Sequence, residues 1–319
     1  MPVTIRRLQM LLVMAAITVV VLLGQWLAVS RRSEALHTPR FGSGLPGTEN
    51  PRARRVPGRR RKVIAFLVPS RSVPGWTIPS IPLLTTFVPS LLQSLDETDR
   101  DDFEFAVYFG YDRGDSLYDS EDGGRDLQTL FRKAVGDSYT FSLVTKSFNK
   151  TEHSPCWVWN RLAVAANHDN ADFFYQVNDD IEFKTRGWAK PFTNLLLNNP
   201  VFPGLGVVGP KDLNRPDNLM TQSFVSRVHM HIFGMMFPPM FRNWWSDDWI
   251  SKVYTGVNSA FFTSYTVFNT NQVNSRYRVY QEAEASLAIL VENGQLQIDE
   301  FLQTHMPNDI EYLNSVHSH

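Results

Sequence analysis

Apolar residues in this chain fall into short runs, each closed by proline, glycine or a small polar residue, and the spacing of those runs predicts the elements. Lys62–Pro69 (KVIAFLVP) is a continuous apolar run ending at Pro69-Ser70, the pattern of a strand buried on both faces. Pro82–Leu95 has helical spacing. Phe103–Tyr111 (FEFAVYFGY) is aromatic-rich and stops at the turn Gly110–Gly114, so it predicts a second strand. A short strand follows at Phe141–Val144. Cys156–Ala166 predicts a helix opened by Pro155, and Ala171–Val177 a buried strand that delivers Asn178-Asp179-Asp180 at its carboxyl end. Beyond it come a helix over Trp188–Asn198, a glycine-bounded strand over Gly204–Gly209 and a strand over Phe224–Phe233. A loop from Pro238 leads into a helix near Ser246, and Ala283–Leu302 predicts the last helix. Strands alternating with helices imply an α/β fold with a mostly parallel sheet, whose ligands sit beyond the carboxyl ends of the strands.

The first 61 residues follow other rules. Leu8–Val29 is apolar apart from Gln9, Thr18, Gly24 and Gln25, and arginine pairs bracket it. As a helix it spans roughly 33 Å, enough to cross a bilayer. A cleavable signal peptide, with Ala28-Val29-Ser30 as the cleavage site, is the alternative, but its apolar region is usually shorter. The expected layout is a tail over 1–7, a membrane anchor over 8–29, a flexible basic stem over 30–61 and a catalytic domain over 62–319. The flanking arginines nearly balance, so charge does not orient the anchor. The basic groups from Arg52 to Lys62 read as a solvated stem, or else as a lipid-headgroup or nucleic-acid contact.

Composition narrows the picture. The chain has 319 residues, 43% hydrophobic, with net charge -1, so it can bury a sizeable core and has no global attraction to nucleic acid. Its one cysteine, Cys156, excludes an intrachain disulfide. Asn149-Lys150-Thr151 is a glycosylation sequon, compatible with a lumenal domain.

Two acidic groups carry the candidate chemistry. Asn178-Asp179-Asp180-Ile181-Glu182 places several carboxylate oxygens where a buried strand opens into a loop, suited to a hard divalent cation that also takes phosphate oxygens. A plain turn rich in Asn and Asp reads the same way. Trp244-Trp245-Ser246-Asp247-Asp248-Trp249 is the second group. Its acids either serve as a general base or favour the positive end of a helix that Ser246 caps. The tryptophans either stack on a sugar or belong to the core.

From Trp159 to Phe183 the chain resembles the GT-A glycosyltransferases, in which a helix bearing Asn and Arg precedes an apolar strand ending in an Asp-x-Asp motif. The resemblance spans roughly Lys62 to Leu290 and departs from the pattern at Asn178, where Asp is usual. It implies a GT-A, Rossmann-like fold in which Asp180 binds a Mn²⁺ or Mg²⁺ ion and Asp179 shares that task. Asn178, Asn160 and Arg161 would lie near the donor's phosphates, while Pro69, Ser70, Arg71 and Asp112 would contact its base and ribose. Asp248, with Asp247 beside it, would be the base of an inverting enzyme, and Phe233-Gly234-Met235-Met236 would line the acceptor side. A metal histidine is common in the family; His305 is the candidate here. The implied activity is metal-dependent transfer, of the hexosyltransferase type, from a nucleotide sugar to a glycan, glycoprotein or glycolipid. The implied placement is a single-pass Golgi or endoplasmic reticulum protein with a lumenal domain. An anchored scaffold with a degenerate transferase fold is the alternative, motivated by Asn178. A metal-dependent hydrolase or phosphotransferase is disfavoured because the chain has neither a His-x-x-x-His pair nor a phosphate-cradling glycine loop.

Overall fold

A computed structural model of the chain describes residues 60–149, 151, 154–270 and 281–306. The expected anchor over 8–29 and almost all of the stem lie outside the described residues. Among the described residues, no helix is long and apolar enough to cross a membrane.

Eight strands form one sheet: β1 (Lys62–Pro69), β2 (Phe103–Asp112), β3 (Phe141–Phe148), β4 (Phe173–Gln176), β5 (Ile181–Phe183), β6 (Val207–Asp212), β7 (Ser223–Ser226) and β8 (Ser259–Asn269), in spatial order β3-β2-β1-β4-β7-β6-β8-β5. Pairing is parallel from β3 through β4. The other half is mixed: β7 runs antiparallel to both β4 and β6, β8 parallel to β6, and β5 antiparallel to β8. The expectation of a mostly parallel sheet thus describes the N-terminal half only, and the whole is a mixed, Rossmann-like α/β sheet flanked by helices.

The helices are α1 (Val88–Ser94), α2 (Asp99–Asp102), α3 (Gly123–Val135), α4 (Pro155–His168), α5 (Ala189–Leu197), α6 (Arg227–Phe233), α7 (Ser246–Val253) and α8 (Leu287–His305). Alternation in β1 explains how they divide between two layers. Ile64, Phe66 and Val68 enter the core beneath α1, α3 and α5, while Ala65 and Leu67 enter the core beneath α4, α6, α7 and α8. Both faces are therefore apolar, which is why the strand reads as an unbroken run.

Two predicted elements differ in kind from the observed ones. The first helix begins as a wide turn over Leu83–Phe87 before α1. Phe224–Phe233 is not one strand: β7 ends at Ser226, whose hydroxyl accepts the Val228 N–H at 3.0 Å and starts α6. Its sequence, RVHMHIF, is β-branched and aromatic, so only the cap residue signals the change. Four further elements, α2, α3, β5 and β8, are added. In α3 the apolar stripe is narrow, with Leu127, Phe131 and Val135 buried and Arg125, Asp126, Gln128, Thr129, Arg132 and Lys133 filling most of the remaining positions.

Phe66 is fully buried at the centre of the first core, with Phe87, Phe105, Tyr175, Phe183 and Trp188 ring centroids 5.6 to 6.3 Å away. These rings lock the turn that leads into α1, the strands β1, β2, β4 and β5, and the start of α5 together by edge and tilted contacts. Phe66→Ala is expected to cost about 3–5 kcal/mol of stability, read as a lower urea midpoint at unchanged slope. A loss below about 1 kcal/mol would show that the rings do not anchor the sheet.

Candidate functional site

Parallel pairing of β1 with β2 and β4 brings three loops to one edge of the sheet. Pro69 pairs with Gly110 at the end of β1, and the next residue, Ser70, donates its N–H to the Gly110 carbonyl at 2.8 Å. The Ser70 hydroxyl donates to Asp179 Oδ2 at 2.6 Å and lies 2.8 Å from the Tyr118 hydroxyl. A serine hydroxyl has one proton, so Tyr118 donates to Ser70, giving a chain Tyr118 to Ser70 to Asp179. All three residues are buried. The loop after β2 is held by its own carboxylate: Asp115 accepts the Leu117 and Tyr118 N–H groups with Oδ1 and the Ser72 N–H with Oδ2. Asp112 ends β2 beside this loop, and Arg71 lies half-buried between Ser70 and Ser72.

The acidic turn sits where it was expected. Asn178 is half-buried and its carbonyl accepts the Ile181 N–H, while Asp179 and Asp180 are buried. The Asp180 carbonyl accepts the Thr270 hydroxyl at 2.9 Å, which fastens the turn to the end of β8. Asp212, at the end of β6, belongs to the same edge. It accepts the Asn214 N–H, the Thr221 hydroxyl and the Asn269 N–H at 2.9, 3.0 and 3.3 Å.

A second wall is built by α4 and α7. The Cys156 N–H donates to the Arg242 carbonyl at 2.9 Å, and the Cys156 thiol lies against Ser246, its ionisation pushed far up by burial. Asn160 closes a paired contact with the Phe237 backbone, donating to its carbonyl and accepting its N–H, both at 2.8 Å. Trp157 Nε1 donates to the Pro239 carbonyl. From the other side, buried His229 lies 3.1 Å from the Met236 carbonyl through Nε2 and 3.0 Å from the Tyr254 hydroxyl through Nδ1. A carbonyl only accepts, so Nε2 carries the proton and Tyr254 donates to Nδ1; burial lowers the imidazole pKa to about 4 and keeps it neutral. The segment from Gly234 to Trp245 is therefore fixed along its length, and Asn160 is engaged in fixing it. Arg161 donates to the Asn149 carbonyl at 2.6 Å and covers the Phe148 ring.

That segment delivers Asp247 and Asp248. Trp245, just before α7, has φ +73°, a left-handed conformation uncommon for a bulky residue, and it sets the path into the helix. The half-buried Asp247 has its pKa pushed up to about 7, chiefly by desolvation and further by Asp248 and Asp212, against the opposing pull of Arg215 and the Ser246 hydroxyl. Asp248 instead pairs with Lys252 one turn on at 3.3 Å. Trp244 is exposed, whereas Trp249 is core, its indole donating to the Leu290 carbonyl at 3.0 Å.

The edge thus gathers Ser70, Asp179 and Asp180 on one side, Asp212 between, and Asp247 within electrostatic reach of Asp212. His305 is not part of it. It stacks on Phe301 at 4.0 Å and packs against Phe202, which precedes β6 and so lies toward the opposite edge of the sheet. Among the described residues, no group of three or more His, Cys, Asp and Glu side chains is arranged to hold a metal ion. A hard cation bound mainly through phosphate oxygens and water needs only one or two protein carboxylates, and the adjacent Asp179 and Asp180 supply that donor type. Tyr118, Asp115 and Asp212 are additions that the sequence reading lacked. Their signal was present in the acidic run Asp112–Asp119 and in Asp212 directly after an apolar strand.

No family model and no curated protein matches the chain. Among solved structures it is similar to mouse xyloside xylosyltransferase 1 in its apo form, at 8% identity over 60% of this chain and 74% of that one, with a TM-score of 0.31. A likeness that distant carries no argument about activity.

Asp247 yields a pH prediction whose sign follows from linkage. Its folded pKa lies above the ordinary carboxyl value of 3.8, so the folded state holds the proton more tightly and stability is lost as pH rises from about 4 through about 7. Asp247→Asn should therefore unfold at higher urea than the wild type at pH 8, with the difference closing toward pH 4. Equal differences at both pH values would contradict the raised pKa.

Proposed function

We propose that this chain is a glycosyltransferase of the GT-A kind, moving a sugar from a nucleotide-sugar donor to a hydroxyl of a glycan, glycoprotein or glycolipid, with metal dependence and inversion at the anomeric carbon. The observation that carries the reading is Asp247. A carboxyl with its pKa near neutrality, held on a fixed segment at the carboxyl edge of the sheet, is matched to general-base work at physiological pH. Asp248 is the poorer base of the pair because Lys252 already compensates its charge.

The residues divide into two sides. Pro69 and Asp112 end β1 and β2, and Ser70 and Arg71 follow β1, at the carboxyl edge where the base and ribose of a donor would sit. Asp180 would hold the divalent cation, Mn²⁺ or Mg²⁺, and Asn178 would adjoin the diphosphate. Bound there, the cation supplies charge neutralisation for the departing diphosphate. On the acceptor side, Asp247 removes the proton of the acceptor hydroxyl as its oxygen bonds to the anomeric carbon. The carbon–oxygen bond to the diphosphate breaks, and the nucleoside diphosphate leaves with the electron pair. Exposed Trp244 offers a ring face to the acceptor sugar. The apolar run over 8–29 would anchor the domain as a single-pass protein with its catalytic part in the Golgi or endoplasmic reticulum lumen, where protease protection in sealed microsomes is expected.

Asp180→Ala should abolish Mn²⁺-dependent binding of UDP or GDP, read by calorimetry; retained affinity removes the cation assignment. Asp247→Asn should leave donor binding intact and slow transfer by about 10²–10⁴-fold. Should Asp248→Asn show that loss instead, Asp248 is the base. Proton NMR of the product should show the anomeric configuration opposite to the donor's, and retained configuration contradicts inversion.

A further inference from the structure

We propose that Asn149 is a site of N-linked glycosylation, filled as the chain enters the lumen and before the domain closes over Thr151. The chain holds one Asn-x-Ser/Thr triplet, Asn149-Lys150-Thr151, and the fold treats its two ends differently. Asn149 is exposed, directly after β3 has ended at Phe148. Its backbone is held, because its carbonyl accepts the Arg161 guanidinium at 2.6 Å while that guanidinium covers the Phe148 ring at 5.5 Å. Thr151 is fully buried, and its hydroxyl has no hydrogen-bond partner.

The unmatched hydroxyl is the decisive feature. A buried hydroxyl without a partner loses its bonds to water and receives nothing in exchange, so valine, of nearly the same shape, would serve the folded domain better at position 151. Before folding the hydroxyl has a use, since the residue two places after a glycosylated asparagine must be Ser or Thr. Ser154 also has a buried hydroxyl without a partner, but only Thr151 among such groups stands two residues after an exposed asparagine. The position suits a bulky modification. Among the described residues β3 is the outermost strand on its side of the sheet, with β2 as its one strand neighbour. Two strand spacings, about 10 Å, separate its end from that of β1. A glycan on Asn149 therefore stands beside the candidate site rather than in it.

The transfer joins the Asn149 side-chain nitrogen to the anomeric carbon of the first sugar of a lipid-linked oligosaccharide diphosphate. The bond from that carbon to the diphosphate oxygen breaks, the lipid diphosphate leaves with the electron pair, and the amide gives up one proton. This step rests on the lumenal placement of the domain, so the test reads placement and modification separately. The full-length chain is translated in the presence of sealed microsomes, with protease protection reporting placement. Wild type should give a protected band that shifts by a single step on treatment with peptide N-glycosidase, and mass spectrometry should find the resulting aspartate at position 149. Asn149→Gln and Thr151→Val should lack the shift, and Thr151→Ser should keep it. In full-length protein made in bacteria, which carries no glycan, Thr151→Val should match or exceed the wild-type urea midpoint, so that its missing shift in microsomes is not a failure to fold. A protected domain without the shift overturns the proposal and leaves lumenal placement standing. A domain digested without detergent and lacking the shift removes lumenal placement and the proposal together. A shift that persists in Asn149→Gln overturns the assignment to Asn149.

Discussion

The hydrogen bond from Ser70 to Asp179 is the contact around which the candidate site is organised. It forms because β1 lies between β2 and β4 with all three running the same way, so their last residues arrive side by side. Parallel strands cannot be joined by tight hairpins, and the long connections leave their loops free to differ in sequence and in path. Something must then hold those loops in register with one another. A buried serine donating to a buried carboxylate does this directly, and leaving either group unmatched would carry the cost of an unsatisfied polar group in the core.

The opposite wall is held differently. There the segment from Gly234 to Trp245 has little secondary structure, and side chains satisfy its backbone: Asn160 and Trp157 from α4, and His229 from α6. The neutrality of His229 follows from burial, and its tautomer is assigned by the Met236 carbonyl, which can only accept, so that the Tyr254 hydroxyl donates to the other nitrogen. A fixed segment allows α7 to present Asp247 in a setting where desolvation outweighs the nearby Arg215 charge. The same burial that raises its pKa makes the ionised form costly.

Much of this was legible in the sequence because it depends on local patterns. The unbroken apolar runs of β1 and β4, the Pro155 start of α4 and the strand-to-turn switch at Asn178 are each set by residues close together in the chain. The antiparallel half was not legible, since β7 and β5 are short strands whose direction depends on distant partners. Asn160 shows the limit for single residues: its place on a helix before the acidic turn was clear, but its engagement with Phe237 arises 77 positions away. Likewise Asp247 and Asp248 are chemically identical in sequence. Only the fold leaves one half-buried near Asp212 and pairs the other with Lys252. Tyr118 gave no periodic signal because its loop has no regular structure, although the acids around it already marked a turn.

The central claim is that this edge binds a nucleotide sugar and turns it over. Incubating the full-length chain with Mn²⁺ and a panel of UDP- and GDP-sugars, with simple glycosides as acceptors, and measuring release of free nucleotide tests that claim most directly. The account predicts acceptor-stimulated release from at least one donor, abolished by chelation of the metal. Absence of release from every donor, together with no nucleotide binding in the presence of Mn²⁺, would contradict it.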